Sequence, residues 1–266
     1  MLADFEVTVA GARAAIARLA KRGNLAVVRN GRSTSYGLTP KLAKVLPYGP
    51  LHTQAFGTSR TGWDGRWTTV SFSIEDHAPR HVRDDVRSEL VMLHFAALHD
   101  GLWVSPAPPS GALRTVLASH PAVSSSIFHG SADDSPGLTS PISAWDLAAM
   151  RRMYDEFRTT FGPLRQQLHD TGLNDRDALV ARVRVTYRWF VIATTDPDLP
   201  AELLPDDWPR NEAHAIYADL FDRLGHQAAD RVRHVLQRRA PGLVPLVTQA
   251  PRKSGLGNEQ QRGFLE

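Results

Sequence analysis

The dipeptide Asn30-Gly31 lies between two short runs, Leu25–Arg29 and Arg32–Leu38. Asn-Gly is the strongest two-residue hairpin signal, because a type I′ turn needs positive φ at both central positions. The two runs are therefore predicted to pair as an antiparallel ribbon with Arg29 and Arg32 at its tip. Upstream, Thr8 can cap a helix over Val9–Arg22. Val9, Ala12, Ile16 and Leu19 recur on one face of it at three- and four-residue steps. Gly23 is placed as its left-handed terminator. A second short helix is expected over Pro40–Leu46.

Charge singles out the same segment. Residues 1–46 hold eight Lys and Arg (Arg13, Arg18, Lys21, Arg22, Arg29, Arg32, Lys41, Lys44) against Asp4 and Glu6. The local net charge is +6, leaving −3 for the remaining residues. A basic end on a mildly acidic body suggests a region that meets a polyanion, although a solvated charged surface would look the same. In a winged helix, one helix enters the major groove and the hairpin touches the backbone beside it. Arg13 and Arg18 on the helix, with Arg29 and Arg32 on the hairpin, are the candidate DNA contacts. A generic helix–hairpin piece of another α/β domain is the competing interpretation.

Residues 47–62 are rich in Gly, Pro, Ser and Thr and read as a linker. A strand over Trp67–Ile74 is followed by a helix from Asp76 and Pro79 to about His94. Val82, Val86, Leu90 and Leu93 fall on that helix's buried face. A strand at Leu102–Ser105, a helix over Gly111–Ser119 and a strand at Val123–His129 complete a β-α-β-α-β order, which suggests a small ferredoxin-like sandwich. Beyond the loop at 130–142 the chain is helical. Ser143 opens a capping-box-like start, and Gly162-Pro163 should kink the helix that follows. Residues 175–193 look like a central buried helix, and 211–239 form a third long helical stretch. The tail beyond about Val247 is polar.

Other motifs argue against chemistry. There is no cysteine, which excludes disulfides and thiolate sites and fits a reducing cytoplasm. No apolar run is long enough to span a membrane and no signal peptide is evident. Gly-x-Ser-x-Gly, P-loop and Rossmann fingerprints are missing, so no enzyme and no cofactor is expected. His77 and His81 are spaced four apart but straddle a helix start, and a solvated pair is preferred to a metal site. Trp63-Asp-Gly-Arg-Trp67 could offer a stacking surface, but core packing is the commoner role. The proline-punctuated run Asp196–Pro209 reads as a surface connection that docks Leu199, Leu203 and Trp208.

Four stretches taken in order resemble the PaaX-type repressor family of phenylacetate catabolism. They are Ala14–Thr39, Trp63-Asp-Gly-Arg-Trp67, Gly101-Leu-Trp-Val-Ser-Pro106 and Asp196-Pro-Asp-Leu-Pro-Ala-Glu-Leu-Leu-Pro205. The resemblance implies an α+β chain with a winged-helix domain at 1–46, a ferredoxin-like, Cas2-like middle domain at 63–130, a helical C-terminal domain at 143–240 and a polar tail at 248–266. It also implies a truncated winged helix, since the family has a further helix before the segment matching Met1–Val7. The implied function is a cytoplasmic, homodimeric repressor that binds operator DNA and is released by an acyl-CoA such as phenylacetyl-CoA. No effector-binding residue is implied. The alternative is a Cas2-like metal-dependent nuclease using Glu75 and Asp76 at the end of the first sheet strand.

Overall fold

In the computed structural model, residues 2–31, 33–45, 53, 56–57, 62–79, 81–133 and 135–248 are described. They are a mixture of helices and antiparallel sheet. The chain divides into two compact units. One contains the described residues up to Phe56, Glu156–Thr194 and those from Glu212 onward; the other contains Gly57–Asp155 and Thr195–Asn211.

In the first unit a 3-10 turn at Leu2–Phe5 leads into α1, Val9–Lys21. Thr8 caps α1 by accepting from the Gly11 N–H at 3.1 Å, and Gly23 takes φ +72° just beyond it. Strands β1 (Leu25–Asn30) and β2 (Ser33–Leu38) pair antiparallel with Asn30 opposite Ser33, as Asn-Gly dictates. Helix α2 covers Pro40–Val45.

The second unit holds a four-stranded antiparallel sheet. Its elements are β3 (Trp67–Ile74), α3 (His81–Met92), β4 (Ala96–His99), β5 (Leu102–Ser105), α4 (Gly111–Ala118) and β6 (Val123–Gly130). The strand order is β4-β5-β3-β6. Val70, Phe72 and Trp103 from the sheet bury against Val86 and Leu90 of α3 and Leu113 and Leu117 of α4. The sequence order therefore needs a correction. Strand β4 makes it β-α-β-β-α-β, because the helix stops at Met92, His94 turns at φ +62°, and Asp100-Gly101 forms a second hairpin turn with Gly101 at φ +74°.

The helical region departs from expectation in three places. Asp146, not Ser143, caps α5 (Leu147–Asp170), its carboxylate accepting from the Ala149 N–H at 2.8 Å. Helix α6 (Asp175–Thr195) buries Val185, Trp189 and Ile192 but leaves Val183, Tyr187 and Phe190 exposed. The stretch 211–239 is two helices, α7 (Arg210–Arg223) and α8 (Gly225–Arg239), meeting at fully buried Leu224. Trp189 is the centre of the first unit's core. It stacks on Tyr217 at 5.1 Å between centroids, meets Phe157 edge-on at 5.4 Å, and donates from its indole nitrogen to the Thr53 carbonyl at 3.0 Å. Thr53 and Phe56, placed in the linker by composition, are buried here.

Candidate nucleic-acid interface

Arg13, Arg18, Lys21, Arg22 and Arg29 are all exposed, and no described carboxylate pairs with any of them. Some arginines elsewhere meet acids, among them Arg151 with Asp207, Arg158 with Glu212, and Arg233 with Asp230 at 2.7 Å. Unneutralised guanidinium groups on one small module are free to meet phosphate. Arg13 and Arg18 are five residues apart, about 140° around a helix at 100° per residue. The structure therefore does not place them on one face, and Arg18 instead shares its face with Lys21 and Arg22. Arg29 shares the ribbon face of Leu25, Val27, Tyr36 and Leu38. Arg32 lies outside the described residues.

The apolar stripe of α1 is not covered by the described residues. No residue of α1 is buried, and Val9, Leu19, Val27, Val28, Tyr36 and Leu38 are all exposed. Asp4 is the exception in this segment. Its buried carboxylate accepts from Arg231 of α8 at 2.7 and 3.1 Å and lies 3.7 Å from Arg176 of α6. The Arg231 hydrogen bonds hold its pKa below the usual carboxylate range, against the opposing cost of burial. From sequence Asp4 is legible only as a negative charge, since nothing local marks a partner 227 positions away.

The remaining motif stretches assemble a scaffold. Trp67 packs against Trp63 at 5.2 Å and stacks on Trp145 at 5.9 Å. The Gly62 and Trp63 N–H groups donate to the Glu202 carboxylate at 3.1 and 3.2 Å. Those backbone donors, with the Glu202 N–H, lower its pKa. Asp196 and Arg210 are buried and paired two-pronged at 3.2 and 3.3 Å, and the Tyr154 hydroxyl donates to Asp196. Arg210 also reaches Asp198 at 3.3 Å and the Leu199 carbonyl at 2.9 Å. Burial, then the neighbouring Asp196 charge, pushes the Tyr154 pKa up, so the phenol stays a donor. The aromatic pair and the Asp-Pro-Asp run therefore act in packing. Leu199 is fully buried as expected.

Glu75 and Asp76 follow β3, as the nuclease alternative requires, but Glu75 contacts His77 at 3.1 Å on an exposed turn. Among the described residues no three His, Asp or Glu side chains group as metal ligands.

With this architecture in place, relatives separate the possibilities. The model of the PaaX protein central Cas2-like domain matches residues 60–140, and that of the PaaX-like protein C-terminal domain matches residues 145–234. The chain belongs to the PaaX-type family. Over 225 residues this PaaX-type chain is 25% identical to the transcriptional repressor PaaX of Escherichia coli (strain K12), covering 81% of the chain and 69% of the relative. That places it with regulators rather than enzymes. The uncharacterized protein Rv0674 from Mycobacterium tuberculosis shares the fold at a TM-score of 0.50 and 21% identity, over 85% of each chain. The Cas2-like match coincides with the four-stranded sheet module. No described helix is long and apolar enough to cross a membrane.

Proposed function

We propose that this chain is a cytoplasmic transcriptional repressor that binds operator DNA as a homodimer and leaves it when an acyl-CoA such as phenylacetyl-CoA binds. The regulated operon would serve aromatic or phenylacetate-type catabolism. Residues 1–46 are the winged-helix DNA-binding module, 63–130 the ferredoxin-like middle module and 143–240 the helical body. The observation that carries the DNA reading is the set of exposed cations on α1 and β1 with no carboxylate partner among the described residues, beside a repressor relative matched along most of the chain. The β-α-β-β-α-β order and its strand arrangement support the ferredoxin-like reading. The effector acts through two states of different effector affinity, which is what coupling between separate sites requires.

The test is fluorescence anisotropy on labelled DNA from upstream of the gene. Arg18→Ala, Arg29→Ala and Arg32→Ala should each weaken binding and lower the salt slope by about 0.9 per lost phosphate contact. Arg13→Ala should weaken specific binding more than non-specific binding if it reads a base. Phenylacetyl-CoA, but not CoA alone, should release the DNA. Equal affinity of wild type and the quadruple variant would remove the DNA assignment. Release by neither thioester nor CoA would remove the effector.

A further inference from the structure

We infer that the outer edge of β6 is the surface through which a second copy of this chain joins, extending the sheet across a two-fold axis. This rests on the homodimer reading above and names its interface. Strand β6 pairs only with β3 among the described residues, so its other edge is open. Which groups face outward follows from the ladder. The Glu75 N–H donates to the Ala122 carbonyl at 3.1 Å, so the even-numbered residues of β6 bond inward to β3. Independently, the Phe72 N–H donates to the Gly101 carbonyl at 3.2 Å, turning even residues of β3 toward β5 and odd ones toward β6. Val123, Ser125, Ile127 and His129 therefore aim their backbone groups at the open edge.

Open edges are normally guarded by Lys, Pro, a bulge or a covering element. Strand β6, Val-Ser-Ser-Ser-Ile-Phe-His-Gly, has no proline and no Lys, Arg, Asp or Glu, and its register with β3 is unbroken over eight residues. At about 3.3 Å per residue, that is an uninterrupted edge of roughly 27 Å. A charge-free strand opposes no like charges when it pairs with its own copy. Beside it, a groove of about 480 Å³ lined by Arg114, Leu117 and Ala118 of α4 and Val123, Ser125 and Ile127 of β6 leaves room along the edge.

The available donors select a register. The Val123 N–H is already spent on the His120 carbonyl at 2.9 Å. Placing Ser125 opposite Ser125 would pair Ile127 with Val123 and lose that donor twice. Placing Ser126 opposite Ser126 sets Ser125 against Ile127 on both sides, where no N–H or C=O is bonded among the described residues. Val123 then opposes His129 and needs only its carbonyl. Exposed Phe128 falls opposite small Ser124 on the other sheet face.

Sedimentation equilibrium on the full chain tests this. Ser126→Lys and Ser126→Glu put like charges face to face on the axis, at an exposed position that leaves the inward ladder intact. Each should weaken the dimer at least tenfold, and an equimolar mixture of the two should restore it. Ser125→Pro, which removes only an outward N–H, should give monomer with an unchanged circular dichroism spectrum. In the wild type, amides of Ser125, Ile127 and His129 should gain exchange protection as concentration rises, a readout independent of any variant. A dimer unaffected by all three substitutions, or amides insensitive to concentration, overturns the β6 interface and leaves the homodimer reading standing. A wild type that stays monomeric at high concentration overturns both.

Discussion

Residues 9–45 and residues 67–130 are built from the same materials, short helices and antiparallel strands carrying alternating apolar side chains. They end differently. The sheet module closes over Val70, Phe72, Val86, Leu90, Trp103, Leu113 and Leu117, two helices covering one face of four strands. The N-terminal module buries none of the side chains of α1 and leaves Val27, Tyr36 and Leu38 about half exposed. A two-stranded ribbon with α1 and the six-residue α2 has little to close over, because an isolated hairpin needs further strands or packing to be stable. Just ahead of the module, Asp4 ties the chain to α8 through Arg231.

The sharpest way to test this contrast is to remove a buried partner. Asp196→Ala takes from buried Arg210 the closer of its two carboxylates, leaving Asp198 and the Leu199 carbonyl to hold the charge. It should cost about 3–5 kcal/mol in urea denaturation. A loss below 1 kcal/mol would show that the network is solvated. Next, Leu90→Ala should cost about 2–5 kcal/mol by opening a cavity in the sheet module. The same change at Leu19, already partly exposed, should cost under about 1 kcal/mol. Equal losses would mean that another surface covers α1.

A smaller effect is expected at the tether. Asp4→Ala should lose about 1–2 kcal/mol, the scale of a charged hydrogen bond discounted for solvent screening. The lowered pKa sets the sign. The stabilisation is complete above about pH 4, the unfolded carboxylate value, and is lost as pH falls through the folded value. The variant should therefore show a shallower acid limb in stability-against-pH curves. The smallest effect on stability belongs to Arg18→Ala and Arg29→Ala, each within about 0.5 kcal/mol because both are exposed and neither has a partner among the described residues. Hydrogen exchange orders the modules directly: amides of 12–22 should exchange before those of 84–92. The reverse order would refute the contrast.

Local grammar made much of this readable in the sequence. Thr8, Gly23 and Asn30-Gly31 each act within a few residues, and the elements they delimit sit where the sequence put them. Strand β4 was missed because Ala96–His99 has only four residues and follows a helical apolar stripe without a visible break. The signal that could have found it was Asp100-Gly101, the same kind of turn that revealed the first hairpin. The split between α7 and α8 turns on Leu224-Gly225, where the apolar periodicity does not falter. Arg13, Arg18 and Arg29 were legible as cations, but the lack of a described carboxylate beside them was not. Pairings such as Asp196 with Arg210 or Glu202 with Trp63 depend on contacts that spacing does not encode.

The Asp4–Arg231 pair also orders events in time. Its partners are 227 residues apart, so Asp4 cannot be clasped until the stretch between them has been made. At elongation rates of about 5–20 residues per second, that is a wait of about 11–45 s. Meanwhile the sheet module, whose contacts lie within 67–130, can complete itself first. Asp4, made before the sheet module, is thus anchored after it. A ribosome-bound chain can carry a finished sheet while the tether of its basic module still awaits α8.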